Sequence, residues 1–462
     1  MSWTSEGAYL RRPLDCHDKL FQSIAAAGAP LGREHWLLAG WLQLVFPLVV
    51  DSAVREQRLR AAWSALRLLH PDIALTLHAN EKQYWPLLDD EDLQRWTDAT
   101  FHIEPSARSA DELFSRHLKV APSPYTTCHW ISTSNEVVFV TPHWRIDGRG
   151  VLMLLHSFME LLARSATSSV PTNVVVGAEA ANLVPTLDTV IGMPEILKEE
   201  WLRKADDILA PFLDGSPAIG LPIVLAIPGD TIRMETVFPK VVTAALREAC
   251  RAKGLRLTAA LHASVVQETA RYYNQGSAAD PTATYKSWAA FDLRKHCPPP
   301  SDPGSSIAAH AASIRLVALP LAADPTASWD TMAAAFQAYY MQSLALADSD
   351  ALFVRVPYVE KATAMLAKAP PTTEPNLSNL GMVEEYLQPS YGDVEVRDAA
   401  LAVQMLSPQL YVHAWSWAGE MRVSICYNEA FYQEQFVRGW LEGLKTNLLE
   451  NLSITTTDVQ VK

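Results

Sequence analysis

The chain lacks the cysteine pattern of a disulfide framework or a zinc module. Its 462 residues include five cysteines, an odd number, with no CxxC pair among them. They are far apart in the sequence, at Cys16, Cys128, Cys250, Cys297 and Cys426. Small disulfide-rich domains and structural zinc sites both need closely spaced cysteines. The pattern therefore argues against both classes and fits a reducing, cytoplasmic compartment.

Long hydrophobic runs and a secretory signal are also missing. The longest apolar run, His35 to Val50, is shorter than the roughly 20 residues that span a bilayer, and it contains Gly40 and Pro47. The N-terminal residues mix charged and polar side chains and have no apolar core of the kind that a signal peptide needs. We therefore expect a protein without a membrane span.

The chain has fewer basic than acidic residues, with 38 Lys and Arg against 51 Asp and Glu, so its formal net charge is −13. Nucleic-acid binding needs clustered Lys and Arg to neutralise phosphates, so nucleic acid is a poor match as a partner. One local basic cluster stands out in the second half of the chain. It consists of Lys240, Arg247, Arg251, Lys253 and Arg256. The cluster is either an ordinary solvated helix face or a patch that binds a polyanion.

Motifs of several large enzyme classes are absent. There is no GxSxG elbow, no GxGxxG after a strand and no Walker loop, which argues against a serine hydrolase and against common nucleotide-binding folds. What the chain does contain is ample core material, with 49% apolar and 19% charged residues. Its fourteen tryptophans fit either core packing or an apolar substrate cavity.

The length and the mixture of strand and helix patterns predict a two-domain α/β protein. We assign residues 1–185 to an N-terminal domain and residues 236–462 to a C-terminal domain. Between them, residues 186–235 are rich in Ser, Thr and Pro around one predicted helix, which is typical of an interdomain crossover.

The most informative segment is His143-Trp-Arg-Ile-Asp147-Gly148. It lies between an apolar strand pattern, Val137–Val140, and an amphipathic helix predicted over 148–164. A histidine at such a turn is placed to act as a general base, because loops on a rigid frame expose reactive groups. Gly148 permits either close approach of a substrate or a simple helix entry.

Asp147 allows three interpretations: an acid–base partner, a metal ligand or a structural carboxylate. His156 completes a possible metal triad with His143 and Asp147, but it falls inside the helix and no acidic or cysteine cluster surrounds it. We therefore predict no metal. A buried carboxylate needs a cation, and Arg294 is the best candidate for a bidentate partner.

Several other residues are candidates for substrate support. Asn379 and Gly381 end a short apolar strand, where an amide is able to hold a substrate carbonyl or to form a plain turn. Trp415 and Trp417 alternate along a predicted strand and form either a cavity wall or one packed face of a sheet. His262 and His310 lie in apolar surroundings, which is typical of core histidines.

These segments together resemble the CoA-dependent acyltransferase superfamily. The residues from His143 to Gly148 look like its HxxxDG motif, and LRAAWSALRLLHP and LTAALHASVVQETA look like the first helices of its two halves. The segments SNLG and WSWAGEMRVSICYNEAFY are similar to fungal trichothecene-type and alcohol O-acetyltransferases. The resemblance covers nearly the whole chain in the expected order. The plant-type DFGWG motif of BAHD members is absent.

The resemblance implies two chloramphenicol-acetyltransferase-like domains that meet at a central tunnel. It implies that His143 is the catalytic base and Asp147 the structural carboxylate, and that no cofactor is bound permanently. The co-substrate would be acyl-CoA, with acetyl-CoA the expected donor. The acceptor would be a hydroxyl of an apolar secondary metabolite, and the enzyme a cytoplasmic monomer. Lys240, Arg251, Lys253 and Arg256 would then be the best patch for the CoA phosphates.

Two alternatives remain open within this resemblance. A condensation-like enzyme would take its acyl group from a carrier protein or transfer it to an amine. A cyclase of the same fold would keep His143 as a base without transferring an acyl group.

Overall fold

The computed structural model describes residues 3–117, 123–165, 175–275, 280–297, 313–345 and 350–455. Within these ranges the chain folds into two units, each of mixed α/β structure, which confirms the predicted fold class. Unit 1 comprises Met1–Glu195, Arg294–Arg315 and Val383–Gln404. Unit 2 comprises Ile196–Leu293, Leu316–Met382 and Met405–Lys462. The sequence did not indicate that two segments of the second half join unit 1.

The described chain contains both helices and strands throughout its length. The helices are α1 Cys16–Ala26, α2 Ser52–Leu69, α3 Asp90–Thr100, α4 Ala110–Glu112, α5 Gly148–Arg164, α6 Leu187–Val190, α7 Glu199–Leu213, α8 Lys240–Ala252, α9 Leu257–Tyr273, α10 Trp329–Tyr340, α11 Ala351–Leu366 and α12 Glu434–Asn451. The strands are β1 Thr4–Glu6, β2 Tyr9–Pro13, β3 Leu38–Val45, β4 Thr76–His78, β5 Glu81–Tyr84, β6 Phe101–Ile103, β7 Thr127–Ile131, β8 Glu136–Thr141, β9 Thr231–Phe238, β10 Tyr285–Asp292, β11 Leu316–Ala323, β12 Asn376–Met382, β13 Ser390–Tyr391, β14 Val394–Val403, β15 Tyr411–Trp417 and β16 Glu420–Asn428.

Unit 1 is built on a six-stranded sheet of order β13-β14-β3-β8-β7-β6. Neighbouring strands are antiparallel except β6 and β7, which are parallel. Helix α5 packs closely on β3, because a Cβ at Gly40 would lie 2.5 Å from Val151 Cγ1. A second sheet of unit 1 has the order β1-β2-β5-β4.

Helix α5 covers the residues that the sequence predicted, from Gly148 to Arg164. Asp147 precedes it as the N-cap, and the apolar side chains that recur three or four residues apart are buried. The strand before it, β8, is buried along its whole length. A fixed strand and a fixed helix therefore hold the two ends of the His143 loop.

Unit 2 contains a four-stranded sheet of order β12-β15-β16-β9 and a separate antiparallel pair, β10 and β11. Strands β12 and β15 are parallel, and the other neighbours in the larger sheet are antiparallel. Helices α9 and α12 contribute much of the core of this unit. Helix α9 is buried along most of its length, as its run of small and apolar residues predicted.

Some predicted element boundaries were wrong. The sequence pattern from Asp72 to His78 predicts a strand, but β4 begins only at Thr76, because Pro71 opens a 3₁₀ turn instead. The pattern between residues 186 and 235 predicts a helix from Pro194 to Leu209, whereas α7 begins at Glu199. The pattern of residues 308–319 predicts a strand that lies partly outside the described residues, and β11 is seen at Leu316–Ala323. Within the described part of the chain, no helix has both the length and the apolar character to cross a membrane.

Candidate active site

His143 lies in the short connection between β8 and α5, and an aromatic cluster of unit 1 surrounds it. Its side chain is 6% exposed. The ring of Phe21, from α1, stacks on the imidazole with 4.1 Å between centroids and 8° between planes. The ring of Trp36 lies 5.8 Å away and is tilted by 37°. These two rings restrict the orientation of the imidazole.

The same surroundings keep the imidazole neutral. Burial lowers the pKa of His143 to about 4, and its own backbone carbonyl and Asp147 oppose that effect by raising the pKa. The Nδ1 atom is buried and has no hydrogen-bond partner of regular geometry among the described residues. A neutral imidazole retains the lone pair that a general base requires.

The Asp147 carboxylate is held by three donors and is 1% exposed. Its Oδ1 accepts hydrogen bonds from the backbone N–H of Gly150 and from Arg294 Nη2, both at 2.8 Å. Its Oδ2 accepts one from the backbone N–H of Arg315, also at 2.8 Å. Arg294 donates in addition to the carbonyl of Ser313 at 2.8 Å. This arrangement ties the start of α5 to a distant segment of the chain, and it suits a structural role for Asp147.

Arg145, inside the motif, also fixes the loop, although the sequence did not single it out. Its Nη2 donates to the carbonyls of Leu75 at 2.6 Å and Pro124 at 2.8 Å. Burial lowers the pKa of Arg145 to about 9, and Glu34 opposes this by raising it. Lys82 Nζ donates to the carbonyl of Trp144 at 2.8 Å. The only sequence signal was its place inside the motif, between His143 and Asp147.

The close backbone approach in this loop occurs at Gly150. A Cβ there would lie 2.6 Å from Ile146 Cγ1 and 3.1 Å from the carbonyl oxygen of Ser313. Gly148 is the first residue of α5 and is partly buried. Gly150 therefore allows the helix start to approach the segment that carries Ser313.

Asn379 and Gly381 lie at an irregularity of β12 in unit 2. Asn379 Nδ2 donates to Thr258 Oγ1 at 2.7 Å, and its Oδ1 accepts from the N–H of Gly381 at 2.9 Å. Gly381 has a φ of +80°, which glycine adopts without strain. The amide is thus already engaged in shaping the strand, and its contact with a substrate stays a prediction.

Trp415 and Trp417 are both buried on β15 of unit 2. The guanidinium of Arg233 lies 5.7 Å from the centre of the Trp415 ring. Their role as a cavity wall stays a prediction.

The four basic residues predicted to hold CoA phosphates are exposed on unit 2. Lys253 Nζ pairs with Asp330 Oδ1 at 2.9 Å, and Arg251 pairs with Glu248. Arg256 is the N-cap residue of α9, and Lys240 is the first residue of α8. Carboxylates thus partly neutralise the cluster, and its role stays a prediction.

His156 contacts a tyrosine of unit 1. Its Nδ1 lies 2.7 Å from the hydroxyl of Tyr391. Across the described ranges, no group of three or more His, Cys, Asp or Glu side chains is arranged to hold a metal ion. His310, predicted as a core histidine, lies outside the described residues.

Two fungal acetyltransferases are similar to the chain over nearly their whole length. The acetyltransferase pigO of Monascus ruber is 28% identical over 98% of the chain and 99% of its own length. The O-acetyltransferase pigM of the same organism is 26% identical over 98% of the chain and 88% of its own length. No protein-family model matches the sequence.

Solved structures share the fold. The trichothecene 15-O-acetyltransferase TRI3 from Fusarium sporotrichioides matches with a TM-score of 0.82 and 15% identity, over 97% of this chain and 96% of that one. The first condensation domain of the calcium-dependent antibiotic synthetase matches with a TM-score of 0.64 and 13% identity, over 96% and 97%. At these identities the likeness concerns the fold alone.

Proposed function

Because the chain belongs to the CoA-dependent acyltransferase superfamily, whose fold condensation domains share, we propose a specific reaction for it. The family assignment makes it an acyltransferase. The proposed reaction moves a short acyl group, acetyl by analogy with its relatives, from acyl-CoA to a hydroxyl group of an apolar small molecule. We propose further that the enzyme acts as a monomer without a permanently bound cofactor.

The observation that carries the proposal is the neutral, buried His143 at the strand–helix turn, beside a carboxylate that is fully occupied elsewhere. In the proposed reaction, His143 accepts the proton of the acceptor hydroxyl while the acceptor oxygen forms a bond to the thioester carbonyl carbon. The carbonyl electrons move to its oxygen and then return as the carbon–sulfur bond breaks. His143 passes its proton to the CoA thiolate, and the ester and free CoA leave.

A pKa of about 4 for His143 fits both halves of this cycle. The ring is neutral before reaction, and the negative charge that develops on the carbonyl oxygen favours its protonated form only in the transition state. The imidazolium is then a strong enough acid to protonate the leaving thiolate. Asp147, held by Arg294 and the backbone of Arg315, keeps the loop in place throughout.

The remaining candidate residues have supporting roles in this proposal. We assign Asn379, Gly381, Trp415 and Trp417 to support of the substrate or oxyanion, and the basic cluster to the CoA phosphates. Among the described residues, Lys240 and Arg256 form no ion pair, so within that cluster their charges are more available to a phosphate than those of Arg251 and Lys253.

The test is to incubate the purified protein with acetyl-CoA and a panel of apolar alcohols, each paired with its amine analogue. Free CoA is measured with a thiol reagent, and the product is identified by mass spectrometry. We expect CoA release with ester formation, and neither in a folded His143→Ala protein. Amide products in place of esters would show that the acceptor group is an amine and not a hydroxyl. Transfer only from a carrier-bound acyl group, or rearrangement of a substrate without any donor, would replace the proposal by the condensation or cyclase alternative.

A further inference from the structure

Trp36 is held in a backbone conformation that bulky residues rarely adopt. Its φ is +63°, in the left-handed region where a residue with a large side chain is a genuine outlier. Two backbone hydrogen bonds fix this segment of unit 1. The N–H of Trp36 donates to the carbonyl of Gln404 at 2.8 Å, and the N–H of Gln404 donates to the carbonyl of Leu37 at 2.8 Å. Strained residues of this kind persist where surrounding structure imposes them, and they cluster at functional sites.

The strained backbone brings the indole of Trp36 to the imidazole of His143. The two ring centroids are 5.8 Å apart, and the Trp36 and Phe21 centroids are 6.4 Å apart. The two aromatic neighbours of His143 differ in exposure. Phe21 is 3% exposed and stacks on the imidazole, whereas Trp36 is only partly buried, with its Nε1 atom inside the protein. Part of the Trp36 residue therefore stays accessible close to the proposed base.

We propose that Trp36 is a specificity-determining residue whose indole forms a wall of the acceptor site and selects a flat, unsaturated alcohol. This inference rests on the proposed function and names its substrate class. An indole ring gains most from offset stacking on another flat π system, and a puckered saturated ring of similar size does not provide that contact. A glycine would adopt the same φ without strain. The backbone turn therefore does not require tryptophan here, and we infer that the indole side chain itself has a role.

The test uses two alcohols with the same carbon skeleton, 2-naphthalenemethanol and its decahydro analogue. Binding of each to the protein is measured by calorimetry without acetyl-CoA, and transfer is then measured as kcat/KM with acetyl-CoA. We expect the parent to favour the flat alcohol in both measurements. Trp36→Ala should reduce that preference by roughly 3- to 10-fold, the range expected for one lost aromatic contact, and Trp36→Phe should retain most of it.

Two variants control for indirect effects. Trp85→Ala removes another tryptophan of unit 1, 52% exposed and stacked on Tyr9 at 5.0 Å, and should leave the preference unchanged. Phe21→Leu removes the ring behind His143 and should lower kcat for both alcohols by a similar factor. If Phe21→Leu altered the preference as much as Trp36→Ala does, the change in preference would be explained by a general disturbance of His143 and not by loss of a wall of the acceptor site.

A third variant keeps the test valid if Trp36→Ala folds poorly. Trp36→Gly removes the ring and also the backbone strain, so it should melt above Trp36→Ala while losing the same preference. The inference is overturned if the parent binds neither alcohol, binds both equally, or keeps its preference in both ring-less variants. A parent that binds the flat alcohol selectively but transfers no acetyl group would overturn the proposed function and leave the role of Trp36 in recognition intact.

Discussion

His143 of unit 1 and His262 of unit 2 are both buried histidines, and they differ in what their ring nitrogens meet. In His262, on helix α9, Nδ1 lies 2.8 Å from the hydroxyl of Tyr340 and Nε2 lies 3.1 Å from that of Tyr285. In His143, Nδ1 has no regular partner among the described residues. Burial lowers the pKa of both, to about 3 for His262 and about 4 for His143.

Burial and a lowered pKa therefore do not by themselves identify a general base, because both histidines have them. Both ring nitrogens of His262 lie within hydrogen-bond distance of tyrosine hydroxyls, and the residue is buried, which confirms the prediction of a core histidine. His143 is contacted by the stacked ring of Phe21 and the tilted ring of Trp36, and ring contacts orient an imidazole without using its nitrogens. What separates the proposed base, His143, from the structural His262 is its position at the turn between a buried strand and a buried helix.

Replacing the histidine that lacks a regular partner should abolish most of the activity. We expect His143→Ala to lower kcat by about 10²- to 10⁴-fold, because the proton of the acceptor then has no positioned base. Initial rates and circular dichroism of the same preparation measure this. Near-normal turnover in a folded His143→Ala protein would contradict the proposed role of His143 as general base, since it would leave His143 no more reactive than His262.

Asp147→Asn should reduce both stability and rate. The amide keeps one acceptor oxygen but loses the charge that faces Arg294, and weakening this largely enclosed ion pair should cost about 2 to 5 kcal/mol of unfolding free energy. Chemical denaturation and steady-state kinetics together measure the two losses. A variant as stable as the parent yet inactive would make Asp147 a participant in the chemistry and not a structural support.

His262→Phe should affect stability alone. The phenyl ring fills the space but leaves the hydroxyl of Tyr340 without its partner, which costs about 1 to 3 kcal/mol. Denaturation curves measure the loss, and kcat/KM with a working substrate should match that of the parent. A large fall in activity would show that the network of His262 reaches the reaction, which would remove the contrast with His143.

The lowered pKa of His143 also predicts how stability depends on pH. Its folded pKa of about 4 lies below its ordinary value of 6.5, so between these values the unfolded chain binds the proton more readily. The stability associated with the neutral ring is therefore present above pH 6.5 and is lost as the pH falls towards 4. Between pH 7 and pH 5 the loss is roughly 2 kcal/mol. The parent should lose that much more than His143→Gln over this interval in urea denaturation, and equal losses would contradict a buried neutral ring.

Local sequence patterns predicted the His143 loop well because its signals are local. The extent of α5 and the position of His143 follow from periodicity within about thirty residues. The partner of Asp147 was inferred as Arg294 because a buried carboxylate needs a cation. The backbone N–H of Arg315 could not be inferred, since every residue except proline carries the same donor.

Other features of the fold and the site could not be predicted from local patterns, because they depend on contacts between residues far apart in the sequence. The role of Lys253 as a phosphate ligand stays a prediction, and its ion pair with Asp330, 77 residues away, could not be inferred from the nearby sequence. The tight glycine of the loop is Gly150 because the carbonyl of Ser313 faces it, and no pattern near residue 150 reports that neighbour. The sequence pattern from Val394 to Met405 predicts a strand, and β14 lies there, yet its place beside β3 depends on cross-strand contacts that periodicity does not specify.

The pairing of β3 has a consequence for how the protein is made. β3 sits between β8 and β14 in the sheet, with Leu38 opposite Thr141 on one side and opposite Val403 on the other. During synthesis its second edge has no native neighbour until residues 394–403 have left the ribosome. An open strand edge is a template for aggregation. The nascent N-terminal half should therefore depend on chaperones, and folding of the unit that carries His143 should be completed only late in translation.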